Sequence, residues 1–265
     1  VAFLLGILLA LTAFASALIH LGQSASSYFD FVACTVVLGG TVAVSIMVLP
    51  WQQRAEMIEK FKFALGSSKF NINQTYMDVL EAVRALQAGK VLSFEKGSDL
   101  AQRVLSTAFE LRSLGFSNEE IKNILSQMIV QKAQRGKRIA DSIKGLSKYP
   151  PAFGLVGTVL GLVNLMRSLS DGLTPAETGV EMAVALIATF YGLLVANLVV
   201  NPLGEIISKN NGMEIRCAEM ALRGALLGMT ETSFLKAREL LRVYLSDAAA
   251  ENYDRSGAQV VEGAA

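Results

Sequence analysis

The chain has 265 residues, 52% of them hydrophobic and 18% charged, with a mean hydropathy of +0.43; soluble domains carry roughly 25% charged residues. That composition excludes an ordinary soluble domain and points to a membrane protein. A net charge of +1, from 24 Lys and Arg against 23 Asp and Glu, leaves no basic field for a nucleic acid partner. Cys34 lies in an apolar run and Cys217 in a charged segment, so neither a disulfide framework nor a metal knot is suggested.

Four segments are long and apolar enough to cross a bilayer: residues 1–21, 29–51, 151–169 and 182–203. Hydrocarbon offers backbone N–H and C=O groups no partner, so each is expected to be helical. The first begins within the apolar run itself, and the expectation is that residues precede Val1. Phe14-Ala15-Ser16-Ala17 resembles a small-residue cleavage site, but no basic stretch stands before it, which favours a span over a signal peptide. Between Gln52 and Pro150 there are 16 Lys and Arg against 10 Asp and Glu, and after Leu203 there are 7 against 9. The connections at 22–28 and 167–181 hold only Arg167 as a base. Positive residues are retained in the cytoplasm, so both termini and the large insertion face inward.

The insertion reads as helices. Tyr76, Val79, Leu80, Val83 and Leu86 recur at helical spacing within 70–88, as do Leu100, Val104, Leu105, Phe109 and Leu111 within 99–114. Gly115 stops the second of these, and Ser117 with Glu120 forms a capping box for a helix over 118–144. An amphipathic tail over 205–246 continues the fourth span, with Gly212, Gly224 and Gly228 as weak points, and small polar residues from 247 onward predict disorder. The expected fold is an all-α membrane protein with four transmembrane helices. Its divisions are a hairpin at 1–51, a helical cytoplasmic domain at 52–150, a second hairpin at 151–203, a cytoplasmic helix at 204–246 and the tail at 247–265.

Enzyme motifs are absent, and His20, the only histidine, reads as an interfacial residue at the end of a span. Gly154, Gly157 and Gly161 form G-x-x-G-x-x-x-G, a stripe along which another helix can approach closely. Thr158, Thr189, Tyr191 and Asn197 are polar groups within the third and fourth spans; the plainest role for a threonine there is to bond back to a carbonyl one turn earlier, and two in facing spans favour a functional role. The third and fourth spans contain no ionisable interior residue. Any ion crossing there needs a carboxylate from a partner. Pro151 fits a helix start, whereas Pro202 interrupts a helical pattern and predicts a kink.

The runs Pro151-Ala-Phe-Gly-Leu-Val-Gly-Thr-Val-Leu-Gly161, Met182-Ala-Val-Ala-Leu-Ile-Ala-Thr-Phe-Tyr-Gly192 and Ala196-Asn-Leu-Val-Val-Asn-Pro-Leu203 resemble the A subunit of the bacterial flagellar stator, the MotA/PomA type of the MotA/TolQ/ExbB superfamily. The likeness is strong over 150–205, fair at Tyr28-Phe-Asp30 with Gly39-Gly40, and weak in the cytoplasmic domain. It implies an ion-driven rotary motor in the inner membrane, not an enzyme and without a cofactor. A homo-pentamer of A subunits, embedded in lipid, would surround two B-type (MotB/PomB-like) subunits that supply the ion-binding Asp, and would push the rotor protein FliG. By position, Thr158, Ala188, Thr189 and Tyr191 would face the B helix and the ion path; Pro151 and Pro202 would couple ion passage to movement; and Asp30 would be the acidic residue at the outer end of the second span. The family's rotor-contacting Glu is matched by Glu95, but its basic partner falls on Gln87, leaving Arg84 and Lys90 as substitutes. Ala188 stands where sodium-type members carry Thr, so H+ is the expected ion; Thr158 is shared with sodium-type members and keeps Na+ as the alternative. Other readings are an ExbB/TolQ-like energiser, which has one span before its cytoplasmic domain rather than two, a stator-like unit driving another system, and an ion-independent scaffold.

Overall fold

The computed structural model describes residues 2–20, 22, 28–49, 57, 71–89, 99–170, 172, 174–230 and 232–245. Among these, all regular structure is helical: α1 (Ala2–His20), α2 (Phe31–Val48), α3 (Ile72–Gln87), α4 (Leu100–Ser113), α5 (Asn118–Leu146), α6 (Tyr149–Ser170), α7 (Pro175–Leu194), a π-helical segment (Val195–Val200), α8 (Asn201–Gly228) and α9 (Phe234–Arg242). Phe31–Val48, Asn118–Ser170 and Ala176–Gly228 contain stretches apolar enough to cross a membrane, and Leu5–His20 is a shorter apolar helix.

Local chemistry sets the ends. Ser117 N–H donates to Glu120 Oε2 at 2.9 Å and Glu120 N–H returns to Ser117 Oγ at 3.3 Å, the expected capping box of α5. The Ser117 hydroxyl and N–H together hold the Glu120 carboxyl below its ordinary range. Gly115, with φ +83°, closes α4 in the left-handed region that a side chain would resist. Thr174 and Glu177 make a second capping box ahead of Pro175, which occupies the first turn of α7. Pro150 and Pro151 sit in the first turn of α6, where a missing N–H costs nothing. Helix α8 passes through Gly212 and Gly224 and ends at Gly228.

The chain divides into two compact units, Val1–Ser67 with Arg138–Ser208, and Ser68–Lys137 with Lys209–Ala265. The divisions fall inside α5 and α8 and not at 150/151 and 203/204, because hydropathy changes and packing changes need not coincide along a continuous helix. Ile139, Ala140 and Ile143 of α5 bury against Leu203 and Ile207 of α8, placing both segments in the first unit. That unit leaves Leu9, Ile19, Met47, Leu155 and Met166 exposed, more apolar surface than water tolerates on a monomer. The second unit has a closed core in which Val79, Val83, Val104, Leu105, Ile121, Leu125, Met220 and Leu241 are buried. Within it, the half-buried Lys132 meets the buried Glu214 at 3.6 Å.

Candidate functional site: a hydroxyl pair in a small-residue seam

Helices α6 and α7 pack as an antiparallel pair along matching rows of small residues. A methyl added at Gly161 would meet Ala185 Cβ at 2.6 Å, at Gly157 Ala188 Cβ at 2.5 Å, and at Gly154 the Ala188 carbonyl oxygen at 2.8 Å. A side chain at Gly192 would strike the Pro150 carbonyl and come within 2.9 Å of Pro151 Cα. The row on α7, Ala185, Ala188 and Gly192, therefore repeats the i, i+3, i+7 spacing of Gly154, Gly157 and Gly161, and side chains so spaced share one helix face. The glycine stripe was legible in the sequence; its partner row was not recognised, although the same periodicity marked it.

This close approach brings four oxygens together. Thr158 Oγ1 lies 2.5 Å from Thr189 Oγ1, 3.0 Å from the Ala185 carbonyl oxygen and 3.2 Å from that of Gly154; Thr189 Oγ1 reaches the Gly154 carbonyl at 3.3 Å. Thr158 thus makes the local back-bond and also bonds across to the facing helix. Two hydroxyl protons face more acceptors than they can serve at once, so the pair can relay a hydrogen bond in either direction. Ala188 is 2% exposed and packs against Gly154 and Gly157.

Tyr191 and Asp30, distant in sequence, meet at the start of α2. The Tyr191 hydroxyl donates to the Tyr28 carbonyl at 2.5 Å and accepts from Asp30 N–H at 3.1 Å. The Asp30 carboxylate caps α2, accepting from Ala33 N–H at 2.6 Å. Phe190 stacks on Phe14 of α1 with ring centroids 4.9 Å apart. At Pro202 the expected disruption takes the form of the π-helical segment immediately before it. In the second unit the Arg84 guanidinium stands 4.3 Å from the ring centre of Phe234, and Gln87 Nε2 donates to the Thr232 carbonyl at 2.6 Å. Lys90 and Glu95 lie outside the described residues.

A four-oxygen cluster at an apolar level of the helix pair, with no Asp, Glu, Lys, Arg or His beside it, suits passage of an ion whose charge is met elsewhere. Residues 96–220 match the model of the MotA/TolQ/ExbB proton channel family. The chain carries a MotA/TolQ/ExbB family domain. It is similar to motility protein A of Treponema phagedenis, 25% identical over 207 residues that cover 78% of this chain and 79% of that protein. Chemotaxis protein PomA of Vibrio alginolyticus is 24% identical over 209 residues, 78% of this chain and 80% of that one. Among solved structures, the flagellar MotAB stator complex of Bacillus subtilis aligns with a TM-score of 0.82 at 20% identity, covering 94% of this chain and 98% of the aligned one. The matched residues span both halves of the seam, from α4 through most of α8, and the family they match is one of proton channels.

Proposed function

We infer that this chain is the A subunit of a flagellar stator, an inner-membrane ion channel component that turns ion-motive force into torque. The observation that carries the reading is the Thr158–Thr189 pair set in the α6–α7 seam, within a MotA/TolQ/ExbB domain whose α6 and α7 keep Arg167, Glu177 and Glu181 to their linked ends and place no Asp, Glu, Lys, Arg or His in between. A B-type subunit supplies the aspartate, five A chains enclose two B helices, and H+ is the transported ion. Ala188 supports H+ over Na+, since a methyl there offers no oxygen to replace the water around sodium.

Four spans with both termini cytoplasmic follow from the charge asymmetry of the loops; the 19 residues of α1 extend about 28 Å, close to the ~30 Å hydrocarbon core. Two helices before residue 52 favour the MotA arrangement over the ExbB/TolQ one. In operation, the Thr158 and Thr189 hydroxyls turn from the Gly154 and Ala185 carbonyls to donate to the partner's carboxylate and hold it in line. Protonation of that carboxyl removes its charge and lets the A ring advance, and Pro151 and Pro202 mark where the advance passes to the rest of the chain. Torque reaches FliG through the second unit, in which Arg84, Lys90 and Glu95 are the candidate contacts.

Expression of the chain with its cognate B subunit in a motile host lacking both stator genes tests this. Restored swimming is expected; a correctly inserted pair that leaves the cells paralysed contradicts it.

A further inference from the structure

Gly192 and Gly204 stand twelve positions apart on one continuous helical path. In a regular α-helix each residue turns about 100°, so that separation leaves two positions about 120° apart around the axis. Both glycines are nevertheless closed by the same α5–α6 corner. A side chain at Gly192 would meet the Pro150 and Pro151 backbone, and one at Gly204 would meet Lys144 Cγ at 2.5 Å and the Ala140 carbonyl at 3.5 Å. Val195–Val200 reconciles the two: a π-helical segment takes one extra residue into a turn. Eleven effective steps leave about 20°. The Asn201 N–H, bonded to the Ala196 carbonyl five residues back, marks the insertion. Pro202 follows directly and has no N–H with which to close an ordinary turn.

Two asparagines span this insertion. Asn197 Nδ2 donates to the Leu193 carbonyl at 3.0 Å, and Asn201 Nδ2 donates to Asn197 Oδ1 at 3.4 Å. The bonds run from the last turn of α7 to the first residue of α8. Asn197 is exposed in an otherwise apolar run, where an amide is costly unless it is bonded. We propose that Asn197 is a positioning residue: with Asn201 it braces the inserted residue and so sets the rotational phase of the first turns of α8 against the α7 segment that carries Thr189. The consequence for torque rests on the stator reading; the brace does not.

Cysteine cross-linking in membranes holding the full chain and its B subunit tests the brace. In a Cys34→Ala, Cys217→Ala background, Lys144→Cys and Glu205→Cys replace side chains whose tips meet at 2.8 Å, and a bifunctional maleimide that spans the length of the two lost side chains is expected to cross-link the parent. Asn197→Leu is expected to lose the cross-link by rotating position 205 away. Deleting Leu198 in that variant is expected to restore it, because eleven real residues of plain α-helix keep Gly192 and Gly204 on one face. A cross-link unchanged in Asn197→Leu, or lost and not restored by the deletion, overturns the proposal. Ion flux measured in parallel on the parent separates the two readings: a parent without flux fails as a stator subunit, while the cross-link still decides the brace.

Discussion

Thr158 and Thr189 each place one hydroxyl between two helices that have no other polar side chain at that level of the seam. Thr158→Val keeps shape and removes the proton that reaches the Ala185 carbonyl. Losing one hydrogen bond worth about 1.4 kcal/mol at the rate-limiting step lowers flux about tenfold, and Thr189→Val is expected to do the same. The double variant should fall no further than the worse single one, since both hydroxyls serve one relay; independent, multiplying losses would show that they do not. Asp99 offers a separate test in the second unit. Burial pushes its carboxyl up from the ordinary 3.8, against the opposing pull of the Ala101 and Leu100 N–H groups and Arg103. An acid whose folded pKa is raised binds its proton more tightly when folded, so stability is greatest at low pH and falls as pH rises from about 4 through the raised value. Asp99→Asn keeps the size of the side chain and removes its ionisation, and should flatten that dependence in thermal melts of the detergent-solubilised protein. At this scale Asp30 was readable as an acid near the outer end of a span but not as a cap, because the expected start at residue 29 placed it inside the helix, whereas α2 begins at Phe31.

Among elements, the α6–α7 seam makes the sharpest quantitative claim. Gly157→Ala drives a methyl to within 2.5 Å of Ala188 Cβ, and overpacking of this kind costs about 1–3 kcal/mol. Ala188→Gly removes the opposing methyl, so the double variant should recover most of the loss. Recovery in a double-mutant cycle of thermal midpoints checks the pairing; additive losses would contradict it. The same crowding predicts that Ala188→Thr destabilises the seam. Both the helices and the capping box at Ser117 were legible because 3.6-residue periodicity and turn chemistry are local. The π-helical segment was not: Val195-Ala-Asn-Leu-Val-Val200 is apolar nearly throughout and carries no periodicity to betray an inserted residue. Its trace was the separation of Gly192 from Gly204, informative only once both are seen to face one corner.

At the scale of the whole molecule, the two compact units divide the chain differently from its hydropathy, since α5 and α8 each contribute to both. Arg84 illustrates the consequence for assigning surfaces. As a bare sequence position it suits a rotor contact, yet its guanidinium covers Phe234 and ties α3 to α9. Arg84→Lys keeps the charge and loses the planar stacking, so it should weaken torque by loosening α9, visible as faster amide exchange there; weakened torque with unchanged exchange would assign Arg84 to the rotor surface instead. The proposed ion passage requires a partner's carboxylate. Its most direct measurement is flux into vesicles holding this chain with its cognate B subunit, unplugged, under a proton gradient and under a sodium gradient, with the A chain alone as control. Proton flux only when B is present is the predicted result. Flux from the A chain alone, or none from a properly assembled complex in either gradient, would contradict it.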